Sequence, residues 1–285
     1  MGMYVALLWF DRAFRSRPAD RLAARRARFA AAAAPLVPDS YTRHRAGGEG
    51  WGLDLHAATQ GVRWPVHAED AGVTAVSLGI PLGADTAAGP LGLARRALGG
   101  GDVGAEVVPP FSMIACDADG TVAVVQDWLG MGRLFVGEHD DLLAFCTRPS
   151  LLAMFLHDEV APDVPAWETY AASGHFGGDT APVRGVRLLG PGERYTVRPA
   201  ADGWQVRHGR GTTADELVGM GLDRRGDVEK AIAEAADGIA AVSGATYDLC
   251  GGDLILGLSG GKDSRVLAAA FVGAGRLPAL HTNAD

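Results

Sequence analysis

Cysteine is scarce in this chain: three residues, Cys116, Cys146 and Cys250, among 285. None lies in a C-x-x-C pair and the spacings are wide, so neither a cysteine zinc site nor a disulfide framework is predicted. A reduced, cytoplasmic protein is the expectation. Long hydrophobic runs are also missing. The apolar opening Met1–Phe10 is too short to cross a bilayer, has no cleavage site after it and leads into arginines, so no membrane span or targeting signal is predicted. Ala6 stands where N-myristoylation needs Ser or Thr. Positive charge is in deficit, 26 Lys and Arg against 34 Asp and Glu for a net −8, which argues against a dedicated nucleic-acid binder.

Glycine is what the chain has in excess: 40 residues, about twice average usage. The glycines follow no triplet period, which excludes a collagen-like chain, and they separate apolar runs, which implies many turns. Hydrophobic and charged fractions of 48% and 21% are those of a globular protein, and the length allows two domains. One basic stretch stands out: Arg12, Arg15, Arg17, Arg21, Arg25, Arg26 and Arg28, opposed only by Asp20. A helix over Asp20–Ala34 would carry the last four as a solvated face or as a docking surface for an acidic partner.

Met3–Phe10, closed by Asp11, reads as a buried strand, and the helix after it is stopped by Pro35 and Pro38. Glycine-separated strands such as Thr74–Ile80 and a short helix over Leu91–Leu98 follow. Ser112–Cys116 and Thr121–Gln126 flank Asp117-Ala118-Asp119-Gly120, a hairpin turn with glycine where positive φ is tolerated. Leu134–Val136 and Leu142–Cys146 flank a second turn at His139–Asp141. Helices are predicted over Leu151–Leu156 and Ala166–Ser173, and strands over Val186–Leu189 and Arg194–Val197 around Gly190-Pro191-Gly192. Mostly strands with few helices predicts an α+β sandwich of sheets with helices outside.

Composition changes near Pro199. Asp227–Ser243 predicts a long amphipathic helix with Asp227 as N-cap and a stripe of Val228, Ile232, Ala235, Ile239 and Val242. A strand over Asp253–Leu258, a helix over Ser264–Ala274 and a strand over Pro278–Thr282 follow, the opening of a doubly wound α/β domain. A single βαβ unit cannot cover both faces of a sheet.

Between that strand and helix lies Ser259-Gly260-Gly261-Lys262-Asp263-Ser264. The carboxyl end of a parallel strand is where ligands bind in open α/β sheets, and a helix N-terminus favours an anion. The glycines allow close backbone approach, Ser259 and Ser264 offer hydroxyls, and Lys262 adds a point charge. Asp263 would repel bare phosphate, so it implies a Mg²⁺ beside phosphates. The string is neither a Walker A loop nor G-x-G-x-x-G.

The hexapeptide resembles the PP-loop, S-G-G-x-D-S, of the ATP pyrophosphatases, which cleave ATP between the α- and β-phosphates. The preceding two-thirds resembles, more loosely, the class II glutamine amidotransferase domain of asparagine synthetase: Asp127, Gly130 and Gly132-Arg133 with the hairpin into Leu143–Cys146, then Leu189-Gly190-Pro191-Gly192. The resemblance implies an Ntn-type αββα glutaminase-like domain over 1–205, a linker over 206–225, and the amino-terminal part of a Rossmann-like PP-loop domain over 226–285. The nucleophile of the amidotransferases is the cysteine after the initiator methionine; here that position is Gly2, which cannot attack an amide, and Met3 does not replace it. No stretch of the family's glutamine-binding type is found either. An inactive glutaminase fold ahead of a synthetase resembles β-lactam synthetase and, more closely, the lasso peptide cyclases, whose loop often reads as Ser259–Arg265 does.

That resemblance implies ATP and Mg²⁺ as cofactors, held by Leu258, Ser259, Gly260, Gly261, Lys262, Asp263, Ser264 and Thr282, with Asp263 as metal ligand. It implies adenylation of a substrate carboxylate and attack by an amine, in lasso peptides a macrolactam closed by the peptide's own N-terminus. The partner would be a peptide substrate, with a leader peptidase or leader-binding protein, and neither nucleic acid nor membrane. Catalytic residues of the amide step are expected beyond Asp285, so the chain reads as a fragment and an incomplete catalyst. The rival expectations are an asparagine-synthetase-like ligase using ammonia or another amine, and a non-catalytic peptide- or partner-binding protein; a tRNA-modifying PP-loop enzyme is disfavoured by charge and domain order. His139 with Asp140 and Asp141 reads as a solvated turn rather than a metal site, His157-Asp158-Glu159 as a helix end, and His56 as a packed or solvent-facing histidine.

Overall fold

The computed structural model describes residues 4–16, 19–58, 66–83, 89–201, 203–216 and 228–282. They fall into two compact units that divide after Ala214. In the first, β1 (Tyr4–Asp11), β2 (Tyr41–Gly48) and β3 (Trp51–Ala58) join β8 (Phe135–His139), β9 (Leu142–Cys146) and the two-residue β10 (Arg187–Leu188) in one sheet, ordered β10-β8-β9-β1-β3-β2. The second sheet is β12-β11-β7-β6-β5-β4, from β4 (His67–Asp70), β5 (Val73–Leu78), β6 (Ser112–Cys116), β7 (Val122–Gln126), β11 (Glu193–Ala200) and β12 (Gly203–Arg210). Every pairing in both is antiparallel.

The sheets face each other across one core and carry helices on their outer faces. Strand β1 shows why its sequence is continuously apolar. Ala6, Leu8 and Phe10 enter the inner core with Leu55, Ile114, Val124 and Phe145. Val5, Leu7 and Trp9 point the other way, into a second core with Phe29 of α1 (Ala19–Ala33) and Leu152, Phe155 and Leu156 of α4 (Pro149–Leu156). A strand buried on both faces loses the alternation of a half-exposed one. On the outer face of the second sheet, α2 (Gly89–Leu98) packs against β5, β6 and β7, next to the short α3 (Val103–Glu106). The four layers are helix, sheet, sheet, helix, the sandwich the strand-rich pattern predicts. Helix α5 (Val164–Ser173) is capped by Asp163, whose side chain accepts from the Ala166 N–H, and closes on Gly174 at φ +77°.

Strand β12 pairs along its whole length with β11, through Arg210, and the Ala214 N–H donates to the Trp128 carbonyl at 3.1 Å. The first unit therefore runs past residue 205, after which the resemblance placed a linker; the strand pairing that extends it is a contact between segments that the motifs do not encode. The turn at Gly190-Pro191-Gly192 carries the chain from one sheet to the other, from β10 to β11.

The second unit contains α6 (Val228–Leu249), β13 (Ile255–Gly257), α7 (Lys262–Gly273) and β14 (Ala279–His281). Strands β13 and β14 are parallel, with Ile255 opposite Ala279 and Gly257 opposite His281, and α6 packs on α7. The stripe read along α6 is not buried: Val228, Ile232 and Ile239 are all exposed, because two strands and one neighbouring helix among the described residues are too little surface to cover it. The proposed N-cap, Asp227, lies outside the described residues.

Candidate functional site

The loop Ser259–Ser264 sits where the spacing places it, between the end of β13 and the first turn of α7. The Leu258 N–H donates to the His281 carbonyl at 2.7 Å, extending the parallel pairing by one bond to the edge of the loop. Gly260 has φ +74°, a conformation that favours glycine. Gly261 is the N-cap of α7, extended and without a side chain to close the helix, and a Cβ there would lie 3.3 Å from Ser259 Oγ. Ser264 Oγ donates to the Gly261 carbonyl at 3.1 Å, Ser259 Oγ donates to Ser264 Oγ at 3.4 Å, and the Gly261 N–H donates to Ser259 Oγ at 3.4 Å. Ser264 is buried while Ser259, Gly260, Gly261, Lys262 and Asp263 are exposed. The serines thus hold the turn, and the open side of the loop presents backbone, ammonium and carboxylate to solvent.

This donor set fits an anion. The exposed first-turn backbone and Lys262, beside the two loop hydroxyls, lie where a helix N-terminus already favours negative charge. It also fits a Mg²⁺ that takes one carboxylate, Asp263, and completes its shell with phosphate oxygens and water. Among the described residues no three His, Cys, Asp or Glu side chains converge on a metal. Asp263 in the first turn is in any case favourable to the helix dipole. Leu258 is half-buried beside the loop, and Thr282 follows the last residue of β14 and is exposed.

In the first unit, the position of the amidotransferase nucleophile, Gly2, lies outside the described residues, as does Met3. The stretches that carry the looser resemblance come together on one buried residue. Asp127 accepts from the N–H groups of Phe111 (2.9 Å), Leu129 (2.9 Å), Met131 (3.1 Å) and Gly132 (2.8 Å), and its own carbonyl accepts from Gly130 at 3.0 Å and Gly192 at 2.8 Å. Gln126, also buried, donates to the carbonyls of Gly132 and Leu189 at 2.7 and 3.2 Å and accepts from Ser112 Oγ. These residues are scaffold: they shape the loop after β7 and tie it to the Gly190–Gly192 turn. Arg133 is exposed in the same loop.

Beside that scaffold opens a cavity of about 690 Å³ lined by Leu129, Pro191, Glu193, His208 and Arg210 among others. Arg187 on β10 clamps Glu193 on β11 with both terminal nitrogens, and Tyr195 and His208 complete the cluster. No local spacing signals it, since its members come from three strands. A second unanticipated contact brings His139 and His157 to 4.4 Å between ring centroids. His157 lies below the ordinary histidine value, first by burial and then by the charges of His139 and Arg25. His56 is also lowered, chiefly by burial, beside Asp54 and the arginines Arg43 and Arg45.

No protein-family model matches the chain, and no curated protein does. Among solved structures, the chain aligns with the glutamine phosphoribosylpyrophosphate amidotransferase from B. subtilis complexed with ADP and GMP at 9% identity and a TM-score of 0.36. A structure described as the allosteric regulatory enzyme of purine biosynthesis aligns at 9% identity and a TM-score of 0.32. Each alignment covers 98% of this chain, but 65% of the first neighbour and 59% of the second. The chain thus spans less than two thirds of either. Likenesses this weak carry no argument about function. Among the described residues no helix is long and apolar enough to cross a membrane.

Proposed function

We propose that the chain carries the nucleotide loop of an ATP-dependent, AMP-forming amide ligase, with macrolactam formation on a peptide as its particular reaction. The observation that supports it is the loop Ser259–Ser264: all five fixed positions of the six-residue motif match, at the carboxyl end of a parallel strand, opening a helix, with Gly260 in the left-handed region. In this reading the first unit is a glutaminase-like sandwich without a glutaminase, since Gly2 has no side chain. Bound ATP with Mg²⁺ would supply the adenylyl group that activates a carboxylate for attack by an amine. Ser259, Ser264, Lys262 and the first-turn N–H groups of α7 would hold the phosphates, and Asp263 would hold the metal. Preorganised donors of this kind act by positioning and by neutralising charge as it develops. The substrate is a peptide, delivered with a leader peptidase or leader-binding protein.

The experiment is calorimetric titration of the chain with ATP and MgCl₂, beside Lys262→Ala and Asp263→Asn, followed by pyrophosphate exchange and AMP release with candidate peptides. Binding by the parent chain, weakened about tenfold or more by Lys262→Ala and made independent of Mg²⁺ by Asp263→Asn, supports the reading. Equal ATP binding by parent and variants, or none by any, removes it.

A further inference from the structure

The arginines of α1 do not act together. Arg25 is 3% exposed and donates to the carbonyls of Phe155 and Leu156, the last turn of α4, and it faces Asp140 at 3.6 Å. Arg28 pairs with Asp158 at 3.0 Å. Both are parts of the fold. Arg26 is different: it is exposed, makes no ion pair among the described residues, and lies over the Trp9 ring at 5.7 Å.

Arg26 overlooks a cavity of about 260 Å³ on the outer face of the first sheet, where α1 leaves β2 and β3 uncovered. Its lining also holds Arg45 and Asp54, with Trp9, Phe29 and the cross-strand pair Gly47–Gly52. Position 52 is bare for a steric reason: a Cβ on Gly52 would lie 2.7 Å from the Trp9 ring. Charge is unbalanced here. Asp54 is shared by Arg43, bonded from Nε at 2.8 Å and again from its terminal nitrogen, and by Arg45 Nε at 3.5 Å. His56 Nε2 is 3.5 Å from the same carboxylate. Two guanidinium groups, Arg43 and Arg45, therefore share one carboxylate, and Arg26 on the same cavity adds a third positive charge, in a protein whose net charge is −8. Arg26 is held over an aromatic ring, a geometry that preorganises the guanidinium.

We infer that this cavity is a docking site for an acidic peptide, receiving a Glu or Asp side chain between Arg26 and Arg45 with its stem over Trp9. The volume lies below the roughly 300–1,000 Å³ of whole small-molecule sites, so it suits one side chain of a longer ligand rather than a nucleotide. Charge complementarity selects the partner: the surplus guanidinium pair takes a carboxylate in bidentate fashion, and the rest of this acidic protein repels acidic chains that dock elsewhere. The site lies wholly in the first unit and needs no nucleotide, so it stands or falls apart from the Ser259–Ser264 loop.

The test is fluorescence anisotropy of a fluorescein-labelled hexaglutamate peptide, with hexaglutamine as the neutral control, in buffer without ATP. Arg26→Gln and Arg45→Gln are compared with Arg207→Gln, the same charge change on strand β12 of the other sheet and outside the lining of this cavity, and thermal unfolding shows each variant is folded. The expected result is saturable binding of hexaglutamate alone, weakened about fivefold by Arg26→Gln or Arg45→Gln and unchanged by Arg207→Gln, a loss of the size of one charge-assisted contact. No binding, an equal loss with Arg207→Gln, or displacement of the peptide by equimolar inorganic phosphate would each overturn the proposal. Should Arg45→Gln unfold through Asp54, Arg26→Gln alone decides, because Arg26 makes no hydrogen bond or ion pair to another side chain among the described residues.

Discussion

Arg187 and Glu193 clamp the open edge of the sandwich, the guanidinium on the last strand of one sheet and the carboxylate on the facing strand of the other. Glu193 is 4% exposed and also accepts from the Gly190 N–H at 2.7 Å, so the pair fixes the turn between the sheets as well. Tyr195 stacks on His208, with centroids 4.5 Å apart, and walls off the carboxylate.

Replacing Glu193 with Gln strands Arg187 and should cost about 3 kcal/mol, read as a lower urea midpoint at unchanged slope. The pH dependence has a definite sign. Burial alone would raise the Glu193 carboxyl, but the Arg187 hydrogen bonds, the Gly190 N–H and the charges of Arg187 and His208 bring it down to about 2. A depressed carboxyl contributes stability above its unfolded value of about 4.3 and loses it as pH falls toward 2. Parent and Glu193→Gln stabilities should therefore converge below pH 4 and differ by the full amount at pH 7.

Asp127→Asn is nearly isosteric, yet it should destabilise by about 2–4 kcal/mol. The carboxylate accepts from four backbone N–H groups, and an amide NH₂ would face two of those donors. Chemical denaturation measures the loss, and amide exchange should quicken first at Leu129, Met131 and Gly132.

Arg25→Ala should lower stability by about 2–3 kcal/mol, the worth of hydrogen bonds from a charged donor to the end of α4. Arg21→Ala, on the exposed side of the same helix, should stay within about 0.5 kcal/mol of the parent. Equal effects of the two in thermal unfolding would remove the distinction drawn between them.

The three thiols should react unequally. Burial pushes Cys116 and Cys146 up to about 12, whereas Cys250 is partly accessible at the end of α6. Iodoacetamide on the native protein, followed by peptide mass mapping, should label Cys250 first. The other two should be protected until the fold opens.

The sequence alone determined the elements whose signals are local. The continuous apolar run of β1 became a strand covered on both faces, and the turn Asp117–Gly120 closed its hairpin with Gly120 at φ +81°. The glycine-rich hexapeptide fell between a strand and a helix because that is what its neighbours in the chain dictate. Tertiary structure decided what depends on residues distant along the chain. Arg25 reads like its neighbours on a basic helix until α4 arrives to bury it, and His139 meets His157 only because a hairpin and a helix end converge. Arg187 and Glu193 look like ordinary strand charges until two sheets stack. The α6 stripe shows the reverse: helical periodicity predicts an apolar face, but burial needs a partner surface, and periodicity says nothing of whether one is present.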